Sequence, residues 1–118
     1  MSLFFIETPT FTQRVIRLGL EEELRALQNE LRINPLAGRT DAGTGGLRKV
    51  RLGDGRRHKG KRSGARAHYL YLSMHDVIYL MFVYAKDEQS TLTAQQKRRL
   101  ATIVAQIKAE WTSDRTTP

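Results

Sequence analysis

The chain of 118 residues has a formal net charge of +8 and contains no cysteine. Its length suits one domain, predicted to span residues 1–118, and the lack of cysteine excludes disulfides, thiolate metal sites and a cysteine nucleophile. No apolar run approaches the roughly 18–20 residues that cross a bilayer, and the chain lacks the basic start of a signal peptide, so we expect a cytoplasmic protein that does not contact membranes.

The N-terminal part of the chain predicts a strand followed by a helical hairpin. Residues 3–6 form a short apolar run, which favours a first strand buried on both faces. Thr8 and Pro9 provide a helix cap and a first helical position, and Gly19 interrupts the helical pattern. A second helix with a stripe of leucines then runs to the Asn34-Pro35 pair.

The remainder predicts three successive strands and a last helix. Residues 37–46 are rich in Gly, Thr and Asp and are expected to form a loop. Thr93 and Gln96 have the spacing of a capping box, so the last helix is expected to begin there. Residues 113–118 are polar and are expected to form a frayed tail. The three strands are predicted at residues 47–52, 65–72 and 77–85.

The order of these elements, βααβββα, predicts an α+β fold. Strands joined by short connections favour a mainly antiparallel sheet, and the helices are expected to pack on one face of it. Alternation along the strands then places Lys49, Arg51, Arg66 and His68 on the opposite, open face. Arg48 breaks this alternation, and its direction stays open.

The excess positive charge is concentrated in one segment. Residues 48–66 contain nine Lys or Arg and one acidic residue, whereas the rest of the chain has equal numbers of basic and acidic residues. Exposed cations release counterions from a phosphate backbone, so this segment predicts a nucleic-acid site. A solvated loop whose charge serves solubility is the alternative. The candidate RNA-binding residues are Arg48, Arg56, Arg57, Lys59, Lys61, Arg62 and, through ring stacking, Tyr84.

The same cations are suited to phosphodiester cleavage. When a 2′-hydroxyl attacks the adjacent phosphorus, fixed cations stabilise the charge that develops on the phosphoryl oxygens and on the leaving 5′-oxygen. A histidine can move the protons, which makes His68 beside Arg66 a catalytic candidate. A strand histidine that only packs or faces water is the alternative. The three histidines do not have metal-site spacing, so neither a metal nor another cofactor is expected.

Three sequence segments carry a family resemblance. They are GTGGLRKVRL from Gly43, GKRSGARAHYLY from Gly60 and YLMFVYAKDEQSTLTAQQ from Tyr79. In this combination they resemble the RelE/HigB toxin superfamily, and most closely its HigB-like branch, over most of the chain.

The resemblance implies a small RelE-like fold and a toxin of a type II toxin–antitoxin system. Such a toxin would be a metal-independent endoribonuclease, an mRNA interferase that cleaves mRNA in the ribosomal A site and inhibits translation. The implied partners are a HigA-like helix-turn-helix antitoxin, the ribosome with its rRNA, and mRNA. Operator DNA would be contacted only through the antitoxin.

The resemblance also implies roles for single residues. By position, the catalytic cations would be Lys49, Arg51, Arg66 and Lys86, to which the charge argument adds His68. His68 stands where the family has an aliphatic residue. A toxin without its own general base would depend on its cations and on the ribosome to orient the mRNA.

Two other functions fit the same residues. One is a non-catalytic RNA- or DNA-binding module, and the other is a degenerate toxin that acts as an antitoxin partner and co-repressor. Phosphate binding and phosphate cleavage use the same cations, so the residues alone do not separate these functions from an enzyme.

Overall fold

A computed structural model describes residues 2–53 and 64–116, with side chains up to residue 112. Over these residues the chain is an α+β structure with three helices and a mixed five-stranded sheet. No helix of this part of the chain is both long enough and apolar enough to cross a membrane. The elements, in chain order, are β1 (Phe4–Glu7), α1 (Pro9–Leu18), α2 (Glu21–Ile33), β2 (Arg39–Thr40), β3 (Arg48–Leu52), β4 (Ala65–Leu72), β5 (Val77–Ala85) and α3 (Ala94–Thr116).

The sheet has the strand order β1-β5-β4-β3-β2. The predicted antiparallel meander is confirmed, because β4 pairs antiparallel with both β3 and β5. The parallel pairing of β1 with β5 makes the sheet mixed. The prediction that residues 37–46 form only a loop was wrong at two positions, because Arg39 and Thr40 pair with the free edge of β3.

A glycine allows this extra strand to form. Gly38 has a φ of +79°, a conformation that side chains disfavour. A Cβ atom at this position would lie 2.2 Å from the carbonyl oxygen of Lys49. The chain therefore approaches β3 closely enough to pair with it only because residue 38 has no side chain.

The first strand differs from its prediction. β1 lies at an edge of the sheet, and it was wrong to expect burial on both of its faces. Leu3 and Phe5 pack against the core, whereas Phe4 is 69% exposed and Ile6 is 38% exposed. An edge strand needs only one covered face, which explains why an apolar run did not become a central strand.

The predicted helical hairpin is confirmed. The Thr8 hydroxyl accepts a hydrogen bond from the Phe11 amide at 3.1 Å, and Gly19 ends α1 in the left-handed conformation with a φ of +68°. The buried leucines of α2 include Leu27 and Leu31. We call the side of the sheet that α1 and α2 cover the hairpin face; its buried residues are Val50, Leu52, Ala65, Ala67, Tyr69, Ile78, Leu80 and Val83.

The last helix packs on the opposite side of the sheet. Its predicted capping box is confirmed: the Gln96 amide donates to the Thr93 hydroxyl at 3.0 Å, and the Thr93 amide donates to Gln96 Oε1 at 2.9 Å. The helix continues to Thr116, so the predicted frayed tail is helical from residue 113 to residue 116, and residues 117 and 118 lie outside the described residues. We call this side the α3 face; its core residues are Leu47, Leu70, Met81, Phe82, Tyr84, Leu92, Leu100, Val104 and Ile107.

The prediction that all helices pack on one face was therefore wrong. Half of the α3 face is apolar, since Leu70 follows Arg66 and His68 along β4 and Met81 precedes Tyr84 along the antiparallel β5. These apolar side chains need a cover. The predicted open face with its four basic residues is instead a partly covered face with a polar end.

Candidate functional site

The polar end of the α3 face begins with a row of three side chains on neighbouring strands. Arg51 of β3 pairs across the sheet with Arg66 of β4, which pairs in turn with Tyr84 of β5. Exposure falls along this row, since Arg51 is exposed, Arg66 is 8% exposed and Tyr84 is fully buried. We call these three residues the cationic row. It runs from solvent into the core.

The two arginines of the row are held next to each other by the sheet. Like charges directly opposite each other destabilise a strand pair, and an anion between them removes this cost. Burial lowers the pKa of Arg66, the charge of Arg51 lowers it further, and Tyr84 opposes the shift. One guanidinium nitrogen of Arg66, Nη1, donates to the carbonyl oxygen of Ala65 at 3.3 Å. The arrangement favours the binding of an oxyanion such as a phosphate.

The next row contains the histidine. Lys49, His68 and Phe82 are cross-strand neighbours, one step further along the sheet. His68 is fully buried, so the prediction that it lies on an open face was wrong. Its Nε2 lies 2.9 Å from Oδ2 of Asp41, and the same carboxylate lies 3.6 Å from Nζ of Lys97 on α3.

A glycine-rich turn holds Asp41 in place over the sheet. The Asp41 amide donates to the carbonyl oxygen of Leu47 at 2.8 Å, and the buried hydroxyl of Thr44 donates to the Asp41 carbonyl oxygen at 2.6 Å. The Leu47 amide donates to the Thr44 hydroxyl at 3.0 Å. A Cβ atom on Gly45 would lie 3.3 Å from Val104 of α3, so the turn packs closely on that helix. These contacts fix the carboxylate with respect to both β4 and α3.

The charge states of His68 and Asp41 follow from their surroundings. Burial lowers the pKa of His68, and the hydrogen bond and charge of Asp41 oppose this shift. Burial acts to raise the pKa of Asp41, but the hydrogen bond and charge of His68, with Lys97 and Lys49, outweigh it and lower that pKa. At neutral pH the histidine is therefore neutral and the aspartate is ionised. A carboxylate only accepts, so Nε2 carries the proton and Nδ1 carries a lone pair.

Two buried polar atoms at this site have no hydrogen-bond partner among the described residues. They are Nδ1 of His68 and the hydroxyl of Tyr84. The two rings have centroids 6.0 Å apart and an interplanar angle of 30°. Burial raises the pKa of Tyr84, and the charge of Arg66 opposes the shift. Buried polar groups in folded proteins nearly always have a hydrogen-bond partner, so we expect a water molecule or a ligand beside these two atoms.

Other predicted site residues lie elsewhere. Arg48 shares the hairpin side of β3 with Val50, and its Nη1 donates to the carbonyl oxygens of Leu36 and Gly38 at 2.9 and 3.1 Å. Arg48 is therefore engaged with the chain that follows α2 and does not join the cationic row. Lys86 is exposed and directly follows β5, where its amide donates to Gly64 at 3.3 Å.

Tyr84, which was predicted to stack on an RNA base, has a fully buried ring in this structure. The loop cations lie outside the described residues; they are Arg56, Arg57, Lys59, Lys61 and Arg62. The structure thus brings together five of the predicted residues on one face, namely Lys49, Arg51, Arg66, His68 and Tyr84.

Sequence reasoning missed Asp41 and Lys97. Asp41 is 27 residues from His68 and lies in a segment rich in small polar residues, where an aspartate is common in turns. Lys97 is one of several basic residues at the start of α3. No local spacing marks either residue, since both reach His68 only through the tertiary fold.

No protein-family model matches the sequence. Among the described residues, no group of three or more His, Asp or Glu side chains is arranged to hold a metal ion. The site combines paired arginines, a neutral histidine oriented by a carboxylate, and a buried phenol. This combination is suited to binding a phosphodiester and to moving a proton beside it.

Proposed function

We propose that the protein is an endoribonuclease toxin of the RelE/HigB type, which cleaves mRNA in the ribosomal A site and inhibits translation. The observation that supports this most is the cationic row, in which Arg51 and Arg66 stand side by side on a sheet and end at a phenol. A rigid sheet holds cations in the fixed geometry that stabilising a transition state requires.

The chemistry of the reaction matches the row. Attack of the 2′-hydroxyl on phosphorus increases the negative charge on the phosphoryl oxygens, and Arg51 and Arg66 are placed to share that charge. Lys49 lies one row away on the same face and adds to the positive potential. The ribosome would orient the mRNA, which lowers the entropic part of the barrier.

The proposal also covers the fold family, the partners and the cellular location of the protein. The three sequence segments that begin at Gly43, Gly60 and Tyr79 support a RelE-like fold with a HigB-like active site. The partners would be a HigA-like helix-turn-helix antitoxin, rRNA and mRNA in the cytoplasm. The cations of residues 56–62 would contribute salt-dependent contacts with ribosomal RNA.

Expression with and without an adjacent helix-turn-helix antitoxin gene tests the function. We expect growth arrest without the antitoxin, together with cuts that follow the reading frame and occur only in translated messages, as mapped by primer extension. Arg98→Ala, which removes an exposed cation of α3, is a control that should arrest growth like the wild type. Normal growth with intact mRNA in the wild type would refute the enzymatic proposal.

A second candidate is a non-catalytic RNA-binding module. It is favoured by the full burial of His68 and Tyr84, because neither of these two proton-transfer candidates is exposed in the structure. In that case the protein would bind ribosomes, the binding would weaken with salt, and every bound message would stay uncut.

A further inference from the structure

The two unpartnered atoms of His68 and Tyr84 belong to one chain of polar groups. Asp41 holds Nε2 of His68 at 2.9 Å, and the opposite ring nitrogen and the Tyr84 hydroxyl each have no partner among the described residues. We propose that Asp41, His68 and Tyr84 form a proton relay that provides the general base of the cleavage reaction. This inference rests on the proposed function and identifies the proton acceptor that the function needs.

The direction of the relay follows from hydrogen-bond chemistry. Asp41 accepts the Nε2 proton, so Nδ1 of His68 is an acceptor with a free lone pair. The Tyr84 hydroxyl is a donor on a ring 6.0 Å from the imidazole, measured between centroids. One water molecule between them would satisfy both atoms, as buried waters do for polar groups that the protein leaves unpaired.

The proton transfers balance. The 2′-hydroxyl gives its proton to the phenolic oxygen of Tyr84 while the phenol passes its own proton, through the water, to Nδ1 of His68. The 2′-oxygen forms its bond to phosphorus, the bond from phosphorus to the 5′-oxygen breaks, and solvent protonates the leaving 5′-oxygen. The products are a 2′,3′-cyclic phosphate, a 5′-hydroxyl and an imidazolium paired with Asp41, which then returns its proton to solvent.

The surroundings of His68 suit an acceptor that must start neutral. The groups that face it are Asp41 from the turn, Lys49 from β3, Lys97 from α3 and Tyr84 from β5. Burial, with the two lysines, keeps the pKa of His68 low, so the ring is unprotonated at neutral pH. Asp41 stabilises the imidazolium once it forms, as the carboxylate does in other Asp–His relays.

The cationic row connects the relay to the substrate. Exposure increases from Tyr84 through Arg66, at 8%, to the exposed Arg51, so a phosphodiester that reaches the two arginines lies at the outer end of the row. The Tyr84 hydroxyl is buried in the free protein. The relay therefore requires that RNA binding brings the Tyr84 hydroxyl into contact with the 2′-hydroxyl of the substrate.

The test measures single-turnover cleavage of mRNA on programmed ribosomes from about pH 5 to about pH 9. The variants are Tyr84→Phe, His68→Ile, His68→Gln and Asp41→Asn, each checked for folding by circular dichroism and thermal melting. Tyr69→Phe is the matched control, since it removes a buried phenolic hydroxyl from the opposite face of the same sheet.

We expect Tyr84→Phe and both His68 variants to lower the rate about 100-fold or more, and Tyr69→Phe to leave it unchanged. The wild-type rate should rise with pH through an inflection below the ordinary histidine range, and both His68 variants should lose this inflection. His68→Gln retains an amide donor for Asp41, so it keeps the test decisive if His68→Ile fails to fold.

Failure of the relay alone can be distinguished from failure of the proposed function. If the wild type cleaves mRNA and the folded His68 variants keep both the rate and the inflection, the relay is overturned and the proposed function stands. If Tyr84→Phe alone keeps the rate, the relay is overturned as well, because the phenol is then not needed. If the wild type itself does not cleave on ribosomes, the proposed function and the relay fall together.

Discussion

Tyr69 and Tyr84 are both fully buried on neighbouring strands, but they lie on opposite faces of the sheet. The Tyr69 hydroxyl lies 2.9 Å from the carbonyl oxygen of Pro35 and 2.6 Å from that of Ala37. Burial raises the pKa of Tyr69 to about 12. The Tyr84 hydroxyl finds no partner within the described ranges. Of two equally buried phenols, one therefore has its hydrogen bonds within the fold, and the other has none among the described residues.

The same difference separates the two faces as a whole. The hairpin face is an apolar surface covered by α1 and α2, and none of the buried strand residues named for it above is charged. The α3 face is apolar only at the end that α3 covers, and its other end contains Arg66, His68 and their partners. Both faces therefore contain a buried core, but the buried Arg66 and His68 lie only on the α3 face.

The largest expected effect is on the polar end of the α3 face. Arg66→Ala should lower mRNA cleavage about 100- to 1000-fold, because it removes a fixed cation from the developing phosphoryl charge. Primer extension on translated messages measures the loss, and thermal melting should show a folded variant. Full cleavage by Arg66→Ala would remove the cationic row from the active site.

The next effect compares the stability of the two tyrosine variants. Tyr69→Phe should lower the free energy of unfolding by about 1–2 kcal/mol, because two partly buried carbonyl oxygens lose their donor. Tyr84→Phe should change it by about 0.5 kcal/mol or less, since the hydroxyl it removes has no protein partner within the described residues. Urea denaturation measures both values. An equal loss in the two variants would contradict the contrast between the faces.

A smaller effect concerns the pH dependence of stability. Burial lowers the pKa of His68 in the folded protein below its ordinary value of 6.5. The contribution of the neutral His68 to the free energy of unfolding is therefore complete above pH 6.5, and it is lost as the pH falls through the folded pKa. The pKa of Asp41 is also lowered, so loss from that group begins only below its ordinary value of 3.8. His68→Gln should therefore lose less stability than the wild type between about pH 7 and pH 5. Parallel melting-temperature curves for the two proteins would argue against a neutral, buried His68.

The smallest expected effect separates two arginines of the same strand. Arg51→Ala should reduce the dependence of RNA binding on salt by about 0.7 in the slope of log K against log salt, the amount expected for one lost phosphate contact. Arg48→Ala should leave the slope unchanged, since its guanidinium is bonded to Leu36 and Gly38 on the other face. Fluorescence anisotropy with single-stranded RNA measures both slopes. Equal changes of slope in the two variants would mean that RNA contacts both faces of the sheet to the same extent.

Local patterns predicted the parts of the fold that short segments determine. The ranges of β4 and β5 and the capping box of Thr93 and Gln96 follow from alternation and from side-chain contacts three residues apart. The sequence also contained a signal for the second covered face, because Leu70 and Leu72 follow Arg66 and His68 on the same side of β4. An apolar half on a face that was expected to be open requires a cover.

The parts that were not predicted depend on contacts between distant residues. The pairing of Arg39 and Thr40 with β3 depends on how closely Gly38 approaches Lys49. The partner of His68 was not predicted because Asp41 reaches it only when a turn, a strand and α3 have packed together. His68 itself was predicted to be a site residue from its place beside Arg66, but its burial was not predicted.

The position of α3 after all five strands has a consequence for how the two faces of the sheet are completed. Domains begin to fold from the N-terminal side during synthesis, so the hairpin face can form while Leu70 and Met81 on the α3 face are still uncovered. Lys97 and the apolar stripe of α3 follow the strands, and only then does Asp41 acquire all of its contacts. We therefore expect His68 and Asp41 to reach their final arrangement later in folding than the hairpin face does.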